Sequence, residues 1–354
     1  MADDPSRSLT PLGALLVTLG GTVLVLAGMR VAAPIVGPLL IALLITIAWS
    51  PASEWLQQRG WPPTVAALTG IVVSLIGLAL LVALVWSSLL GLQERLPEYE
   101  PRVAALQESG AAWLARLPFD ADRLLSAEAV QPDALVGYAL GLVGGVTEAV
   151  GALALLGLLM AFMMLESVRY PEKLEAVLRA TDKTRARITS FGESMRSYIV
   201  INTVFGLIAG VLNTVLLLAL GVDFALLWGV LSFLLSFVPN VGVLIALVPP
   251  TLMALLQFGF GRALIVAAGF FAINFVVDAV MKPRFVGESV NLAPIMVVIS
   301  LVFWGWLLGP IGALVAVPLS IAAKFLFEGF DESRWLAALM SDRPSSDPPP
   351  ASTT

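Results

Sequence analysis

The stretch Phe224–Gly261 reads FALLWGVLSFLLSFVPNVGVLIALVPPTLMALLQFGFG and carries no charged residue. As one helix it would extend for about 57 Å, nearly twice the hydrocarbon thickness of a bilayer. Its centre, SFVPNVG (236–242), contains a proline that removes a backbone donor and a glycine that loosens the chain, so the helix must break there. Each half is then only about 22 Å long, too short to cross untilted. The stretch therefore predicts a re-entrant helical hairpin whose tip, Pro239, Asn240 and Gly242, lines a transport path.

A second uncharged run, Ser289–Ala323, breaks in the same way at WGWLLGPIG (304–312). Non-helical backbone at membrane depth survives only where protein or an aqueous cavity surrounds it. Two short segments interrupted by glycine and proline in one chain are typical of the solute sites of transporters. The alternative for both runs is a hairpin of short tilted helices whose turn lies at the membrane interface.

The rest of the chain is similarly apolar. Of its 354 residues, 58% are hydrophobic and 13% are charged, against about 25% charged in an ordinary soluble domain. Further spanning helices are predicted over 11–29, 31–50, 64–91, 140–165 and 198–220. The sequence thus predicts an all-α polytopic integral membrane protein with about 7–8 transmembrane helices and a re-entrant hairpin.

The composition excludes several kinds of chemistry, because the chain contains no Cys and no His. Disulfides, thiolate nucleophiles, Cys/His zinc sites and histidine-based triads are all ruled out. The sequence has no phosphate-binding loop of the form GxxxxGK, which excludes a primary pump, and its net charge of −5 offers no basic surface to nucleic acid. It also lacks a cluster of carboxylates or nucleophiles, so it predicts neither an enzyme nor a bound cofactor or metal.

Lys and Arg set the predicted orientation, because the cytoplasmic segments of membrane proteins are enriched in them. Placing 93–134 outside and 166–197 inside leaves most of the 20 basic residues in the cytoplasm, together with both termini. The predicted organisation is 1–92, N-terminal transmembrane helices; 93–134, an external amphipathic helical segment; 135–197, a transmembrane helix and a basic cytoplasmic segment; 198–330, a core with broken helices; and 331–354, a cytoplasmic tail.

The sharpest polar feature within an apolar run is a stripe of three residues, Asn274, Asp278 and Lys282. Their spacing of four places them on one helix face. Intramembrane carboxylates are costly and usually mark ion or proton paths, which makes Asp278 a candidate for coupling and Asn274 a candidate for solute contact. The alternative is an ordinary ion pair between Asp278 and Lys282 at the cytoplasmic end of the helix.

Other candidates for the transport path lie on neighbouring predicted helices. Glu148 shares a face with a row of glycines, which points it into protein, although a position at the outer interface explains it as well. Asn202 and Asn213 lie on the helix predicted at 198–220, where Asn213 belongs to a face of small residues that plain helix packing also explains. Asp223 follows Gly221 and is expected only to form a turn or helix cap.

Three stretches of the C-terminal part of the chain resemble the autoinducer-2 exporter family of bacterial membrane proteins. They are SFVPNVGVLIALVPP (236–250), FAINFVVDAVMKPRFVGESVNLAP (271–294) and WGWLLGPIGALVAVPLS (304–320). The resemblance covers Arg196–Glu328, whereas the N-terminal helices agree with the family only in hydropathy. The pair formed by PNVG and GPIGALVAVP is the most specific part of the match, and Asp278 departs from the family's pattern.

The resemblance implies a multi-pass transporter or exporter of a small polar solute in the bacterial inner membrane. Since no ATP-binding loop is present, we expect coupling to an ion gradient, with the solute, sodium or protons, and the lipid bilayer as partners. A sodium/proton antiporter and a passive channel are the alternative functions. A homo-oligomer is compatible with every one of these functions.

Overall fold

A computed structural model describes residues 11–114, 154–168, 182–239, 241–282, 284 and 292–342. The regular elements within these ranges are all helical, and six of the helices have the length and apolar composition to cross a membrane. The predicted all-α polytopic membrane fold is therefore confirmed. The number of complete spans and the re-entrant character of the hairpin stay predictions.

Ten α-helices make up the described fold. They are α1 (Pro11–Gln58), α2 (Pro63–Leu114), α3 (Ala154–Ser167), α4 (Asp182–Ala219), α5 (Ala225–Leu235), α6 (Val241–Phe258), α7 (Phe260–Phe275), α8 (Pro294–Leu314), α9 (Ala316–Glu328) and α10 (Arg334–Met340). A π-helical segment, Val276–Met281, continues α7 directly.

Helix α1 corrects the prediction of two separate helices at 11–29 and 31–50. It is continuous over 48 residues, or about 72 Å at 1.5 Å per residue. Arg30, the charge that separates the two apolar runs, does not open a loop, because an isolated Arg does not interrupt helical hydrogen bonding. Its guanidinium instead lies at the surface of the fold, 5.2 Å from the centre of the exposed Trp306 ring, in a cation–π contact.

The other N-terminal helices also differ in extent from the prediction. Helix α2 runs without interruption through 93–114, so the first part of the predicted external segment continues a membrane helix. The remainder of that segment, 115–134, lies outside the described residues. Of the helix predicted at 140–165 only α3 is described, and the helix predicted at 198–220 begins earlier, at the start of α4.

The predicted break at 236–242 is present, and it joins α5 and α6 into an antiparallel hairpin, here called the first hairpin. At its tip, the Val238 amide donates to the Leu235 carbonyl (2.9 Å) and the Gly242 amide donates to the Val238 carbonyl (3.0 Å). At its base, the Asp223 amide donates to Gln257 Oε1 (3.2 Å), so the two ends of the hairpin lie side by side. The chain therefore enters and leaves this hairpin at the same end of the molecule.

The predicted break at 304–312 lies at Gly309, whose φ of 69° and ψ of −154° interrupt α8. The two limbs on either side of it form the second hairpin. The Trp304 indole N–H donates to Ser320 Oγ (3.1 Å), which also lies 2.6 Å from Ser300 Oγ on the opposite limb. At its base, the Ala293 amide donates to the Met340 carbonyl (2.9 Å).

The two hairpins enter the fold from opposite ends. Helix α4 ends at the base of the first hairpin, where the Val222 amide donates to the Leu217 carbonyl (2.9 Å). Near the beginning of the same helix, the Phe191 ring stacks on Phe325, close to the end of α9, with 4.5 Å between centroids. Phe191 and Val222 are about 46 Å apart along the helical rise, which separates the two bases by more than the thickness of a bilayer core.

The packing of the first hairpin predicts a stability effect at Gly242. A Cβ at this position would overlap the Leu235 carbonyl oxygen, whereas a Cβ at Gly261 meets nothing within 4 Å. We expect Gly242→Ala to destabilise the purified protein by about 1–3 kcal/mol, as overpacking usually does. Thermal unfolding in detergent measures this, with Gly261→Ala as the matched control. Equal melting temperatures for the two variants would contradict the tight approach at the tip.

Candidate functional site

A cavity of about 500 Å³ lies between the tip of the first hairpin, the middle of α4 and the end of α7. Its lining residues are Tyr198, Asn202, Ser236, Val238, Pro239, Val243, Leu244, Phe271, Asn274, Phe275, Asp278, Ala279 and Lys282. The cavity extends from the hairpin tip towards Lys282. This residue directly follows the π-helical segment, at the end of α7 that is farther from the base of the first hairpin. This volume is within the range that holds small ligands.

The cavity brings together four of the candidates predicted from the sequence. Pro239, Asn202, Asn274 and Asp278 come from three different helical elements and a turn, yet all four line the same space. Gly242 and Asn213 are buried and are not among the lining residues. Glu148 and Asn240 lie outside the described residues.

The two asparagines of the cavity use their side-chain amides in the same way. Asn274 Nδ2 donates to the Phe270 carbonyl (2.7 Å), and Asn202 Nδ2 donates to the Tyr198 carbonyl (2.9 Å), each one turn back along its own helix. Both residues are buried, with 5% and 9% of their surface exposed. An amide with one N–H bound to the backbone retains its second N–H as a donor and its carbonyl oxygen as an acceptor. The two asparagines therefore give the wall of the cavity two polar amides that can either donate or accept.

Asp278 and Lys282 form a salt bridge of 2.6 Å within the cavity lining. The carboxylate side chain is 42% exposed, whereas the lysine side chain is only 15% exposed. The ion pair offered by the spacing of four is therefore present. The carboxylate of the pair is therefore the more accessible partner.

The segment that carries Asp278 is a π-helix, which the sequence analysis did not predict. The Lys282 amide donates to the Val277 carbonyl (2.9 Å), five residues back instead of four. Such insertions occur mostly as single turns within α-helices and are frequent at functional sites. They widen the helix locally and change where the following side chains point.

Asn213, although buried in the same helix as Asn202, belongs to a packing contact. Its Nδ2 donates to Ser232 Oγ on α5 (2.8 Å), and Oδ1 has no hydrogen-bond partner among the described residues. One turn earlier, a Cβ at Gly210 would lie 2.8 Å from the Gly229 carbonyl oxygen, so the small residues let α4 and α5 approach closely. This contact holds the first hairpin against α4.

Sequence reasoning missed Tyr198, Ser236 and Phe271, which also line the cavity. Ser236 was quoted only as part of the break, and its hydroxyl donates to the Phe233 carbonyl (2.7 Å). Tyr198 precedes Asn202 by one turn, so a polar i, i+4 pair was the available signal. Phe271 has no distinguishing signal, since aromatic residues on apolar helices are common.

Comparison with known proteins gives consistent matches along the chain. The model of the AI-2E family transporters matches residues 19–330. A relative named AI-2 transport protein TqsA, from Escherichia coli (strain K12), is 32% identical over 328 residues, covering 93% of this chain and 95% of the relative. Putative transport proteins from Haemophilus influenzae and E. coli (YhhT) are each 32% identical and cover 92% and 94% of this chain. The N-terminal helices, which the sequence analysis matched only in hydropathy, are therefore included in the similarity.

The buried contact between α4 and α5 predicts a stability effect without direct involvement of the cavity. Ser232→Ala leaves Asn213 Nδ2 without its acceptor, which should cost about 1–3 kcal/mol of unfolding free energy. Ser87→Ala is the control, because that exposed hydroxyl donates only to the Leu84 carbonyl on its own helix. Denaturant unfolding of the purified protein tests this. If both variants are as stable as the parent, the Asn213–Ser232 contact contributes nothing.

Proposed function

Because this chain belongs to the AI-2E family of transporters, we propose that it moves a small polar solute through the cavity described above, driven by an ion gradient. The chain is a multi-pass bacterial membrane protein and a transporter, and it is not an enzyme. The observation that carries the proposal is the meeting of a broken helix, two buried amides and an ion pair around one cavity.

The opposed hairpins support a mechanism of alternating access. Transporters commonly place their site where interrupted helices meet and expose it to each side in turn by rigid-body movement. We propose that the first hairpin is re-entrant from the external side and the second from the cytoplasmic side. Asn240, between Pro239 and Val241 at the tip, would then contact the solute, with Pro239 and Gly242 shaping the turn.

The cavity lining favours a polar solute that both donates and accepts hydrogen bonds. The amides of Asn202 and Asn274 can do either, and Asp278 and Lys282 add a carboxylate and an ammonium group. Phe271 and Phe275 provide apolar walls, as is usual in sites that hold small ligands. A hydroxyl-bearing solute satisfies this arrangement. Since the E. coli relative is named for AI-2 transport, AI-2 is the first solute to test.

We propose that Asp278 couples transport to the ion gradient. It is the carboxylate among the described residues that line the cavity, and its ion-pair partner Lys282 lines the same cavity one helical turn later. A cation that reaches the cavity competes with Lys282 for the carboxylate, because both are attracted to the same charge. Binding of sodium or a proton at Asp278 would release Lys282 and change the polar lining on one side of the solute.

We propose that the protein lies in the inner membrane with the end that carries Lys282 and the base of the second hairpin in the cytoplasm. Arg187, Lys282 and Lys324 gather at that end, as expected for cytoplasmic segments. The C-terminus would then be cytoplasmic and 93–114 external. Because α1 is continuous, we propose that one crossing from a cytoplasmic Arg59 carries Pro11 to the external side, in place of the cytoplasmic N-terminus expected from the sequence.

Replacing Asp278 by Asn tests the coupling step. Asp278→Asn keeps the size of the side chain and removes its charge, so gradient-driven flux of AI-2 in reconstituted vesicles should be lost while downhill leak persists. Asp331→Asn is the control, because it breaks an ion pair with Arg334 (3.1 Å) that lies apart from the cavity. If Asp278→Asn retained its dependence on a sodium or proton gradient, Asp278 would be only an ion-paired residue and Glu148 the remaining candidate.

Cysteine labelling tests the orientation, since the natural chain has no cysteine. A single cysteine is placed in turn at positions 8, 108 and 179, and intact cells are treated with a membrane-impermeant thiol reagent. We expect labelling at 8 and 108 and none at 179. Labelling at position 179 but not at 108 would show that the whole orientation is the reverse of the proposed one. Labelling at 108 but not at 8 would show that the N-terminus is cytoplasmic.

A further inference from the structure

The part of α2 beyond its spanning region contacts the base of the first hairpin, both where the chain enters the hairpin and where the chain leaves it. The apolar span of this helix ends at Ser88, and the helix continues to Leu114. Three side chains of the continuation, Arg95, Tyr99 and Arg102, reach the base of the hairpin. The residue at their centre is Asp223, for which the sequence predicts only a turn or helix cap.

Asp223 accepts hydrogen bonds from two of these side chains at one carboxylate oxygen. Arg95 Nη1 and the Tyr99 hydroxyl each lie 2.6 Å from Asp223 Oδ2. The Trp228 indole N–H donates to the Asp223 carbonyl (3.0 Å), which secures the first turn of α5. The beginning of the hairpin is thereby tied to α2.

The same stretch of α2 also holds the C-terminal end of the first hairpin, where the chain leaves its base. Arg102 Nη1 donates to the carbonyls of Leu256 (3.0 Å) and Gln257 (2.6 Å), at the last turn of α6. The Gln257 side chain then donates from Nε2 to the Tyr99 hydroxyl (3.1 Å) and accepts from the Asp223 amide (3.2 Å). Tyr99 and Gln257 thus join the contacts at the two ends into one network.

Tyr99 is the buried centre of this network. Only 6% of its surface is exposed, and it belongs to an apolar cluster with Leu217, Val222 and Ala225. Burial, followed by the hydrogen bond to Asp223, raises the pKa of Tyr99, so the phenol stays protonated and donates. Arg95 is about half exposed, so its ion pair alone contributes little to stability.

We propose that Arg95, Tyr99 and Arg102 form a clamp that positions the first hairpin and thereby sets how far its tip opens the cavity. The role of this clamp in transport rests on the proposed function, whereas the coupling of α2 to the tip of the hairpin does not depend on it. The hairpin has backbone joints on both sides, at Gly221 (φ 72°), Phe224 (φ 58°) and Gly259 (φ 82°). The clamp bridges these joints and so opposes rotation of the hairpin about its base.

A thiol at the tip reports this coupling. Ser236→Cys is nearly isosteric, lines the cavity and introduces the only cysteine of the chain. It lies about 20 Å from Asp223 along the helical rise, so local damage at the clamp does not reach it directly. In detergent-purified protein, Arg95→Gln combined with Tyr99→Phe should change the rate at which a water-soluble maleimide labels position 236 by about fivefold, the effect of a small shift in a conformational equilibrium.

Asp331→Asn is the matched control, because it breaks an exposed ion pair, Asp331 with Arg334, whose residues neither belong to the first hairpin nor line the cavity. It should leave the labelling rate unchanged. Arg95→Lys in place of Arg95→Gln keeps a cation for Asp223 and should bring the labelling rate most of the way back to that of the parent. Tyr99→Phe alone retains the buried ring and serves if the double variant does not fold. Equal rates in the parent and all clamp variants would overturn the proposal. Because labelling needs no solute, the labelling rates test the clamp even if the transport assay contradicts the proposed function.

Discussion

The absence of water in the hydrocarbon core constrains every other feature of this structure. A backbone amide or carbonyl that finds no partner there costs several kcal/mol, so the six described segments long and apolar enough to cross a membrane are helices. Each interruption then needs protein around it. At the tip of the first hairpin the Val238 and Gly242 amides find carbonyls within the turn itself. The tip lies against α4 and α7, and the space left between these elements is the cavity.

The two breaks expected from the sequence coincide with turns, at Pro239 and Gly309, because proline and glycine weaken their own backbone. The same residue types do not suffice elsewhere, since Pro34, Pro38 and Pro51 lie inside α1 without ending it. The extent of α1 was not predictable in this way. A single Arg30 within an apolar run is compatible with either a short loop or a helix, and the Trp306 ring that it contacts lies far away in sequence.

The polar candidates show the same limit. Asn202 and Asn213 lie on one helix, yet one lines the cavity and the other binds Ser232 on α5. The sequence predicts the face of α4 on which each asparagine lies. It does not predict what packs against that face, because this depends on the tertiary structure. The π-helix around Asp278 likewise depends on the fit of α7 against its neighbours, since no residue in it demands that conformation. The three residues of the stripe line one cavity, whereas the π-helical geometry around Asp278 was not predicted.

The two hairpins differ in where they are held, and this difference bears on which of them moves. The limbs of the second hairpin are joined along their length by Trp304, Ser300 and Ser320, and none of its residues lines the cavity. The first hairpin is tied to α2 at its base and packs along α5 against α4, where Gly210 and Asn213 meet Gly229 and Ser232, while its tip borders the cavity. A small rotation at the base of a rod displaces its far end most. A change in the polar contacts around Tyr99 that rotates the hairpin would therefore displace the tip, where the cavity is, more than any other part of the hairpin.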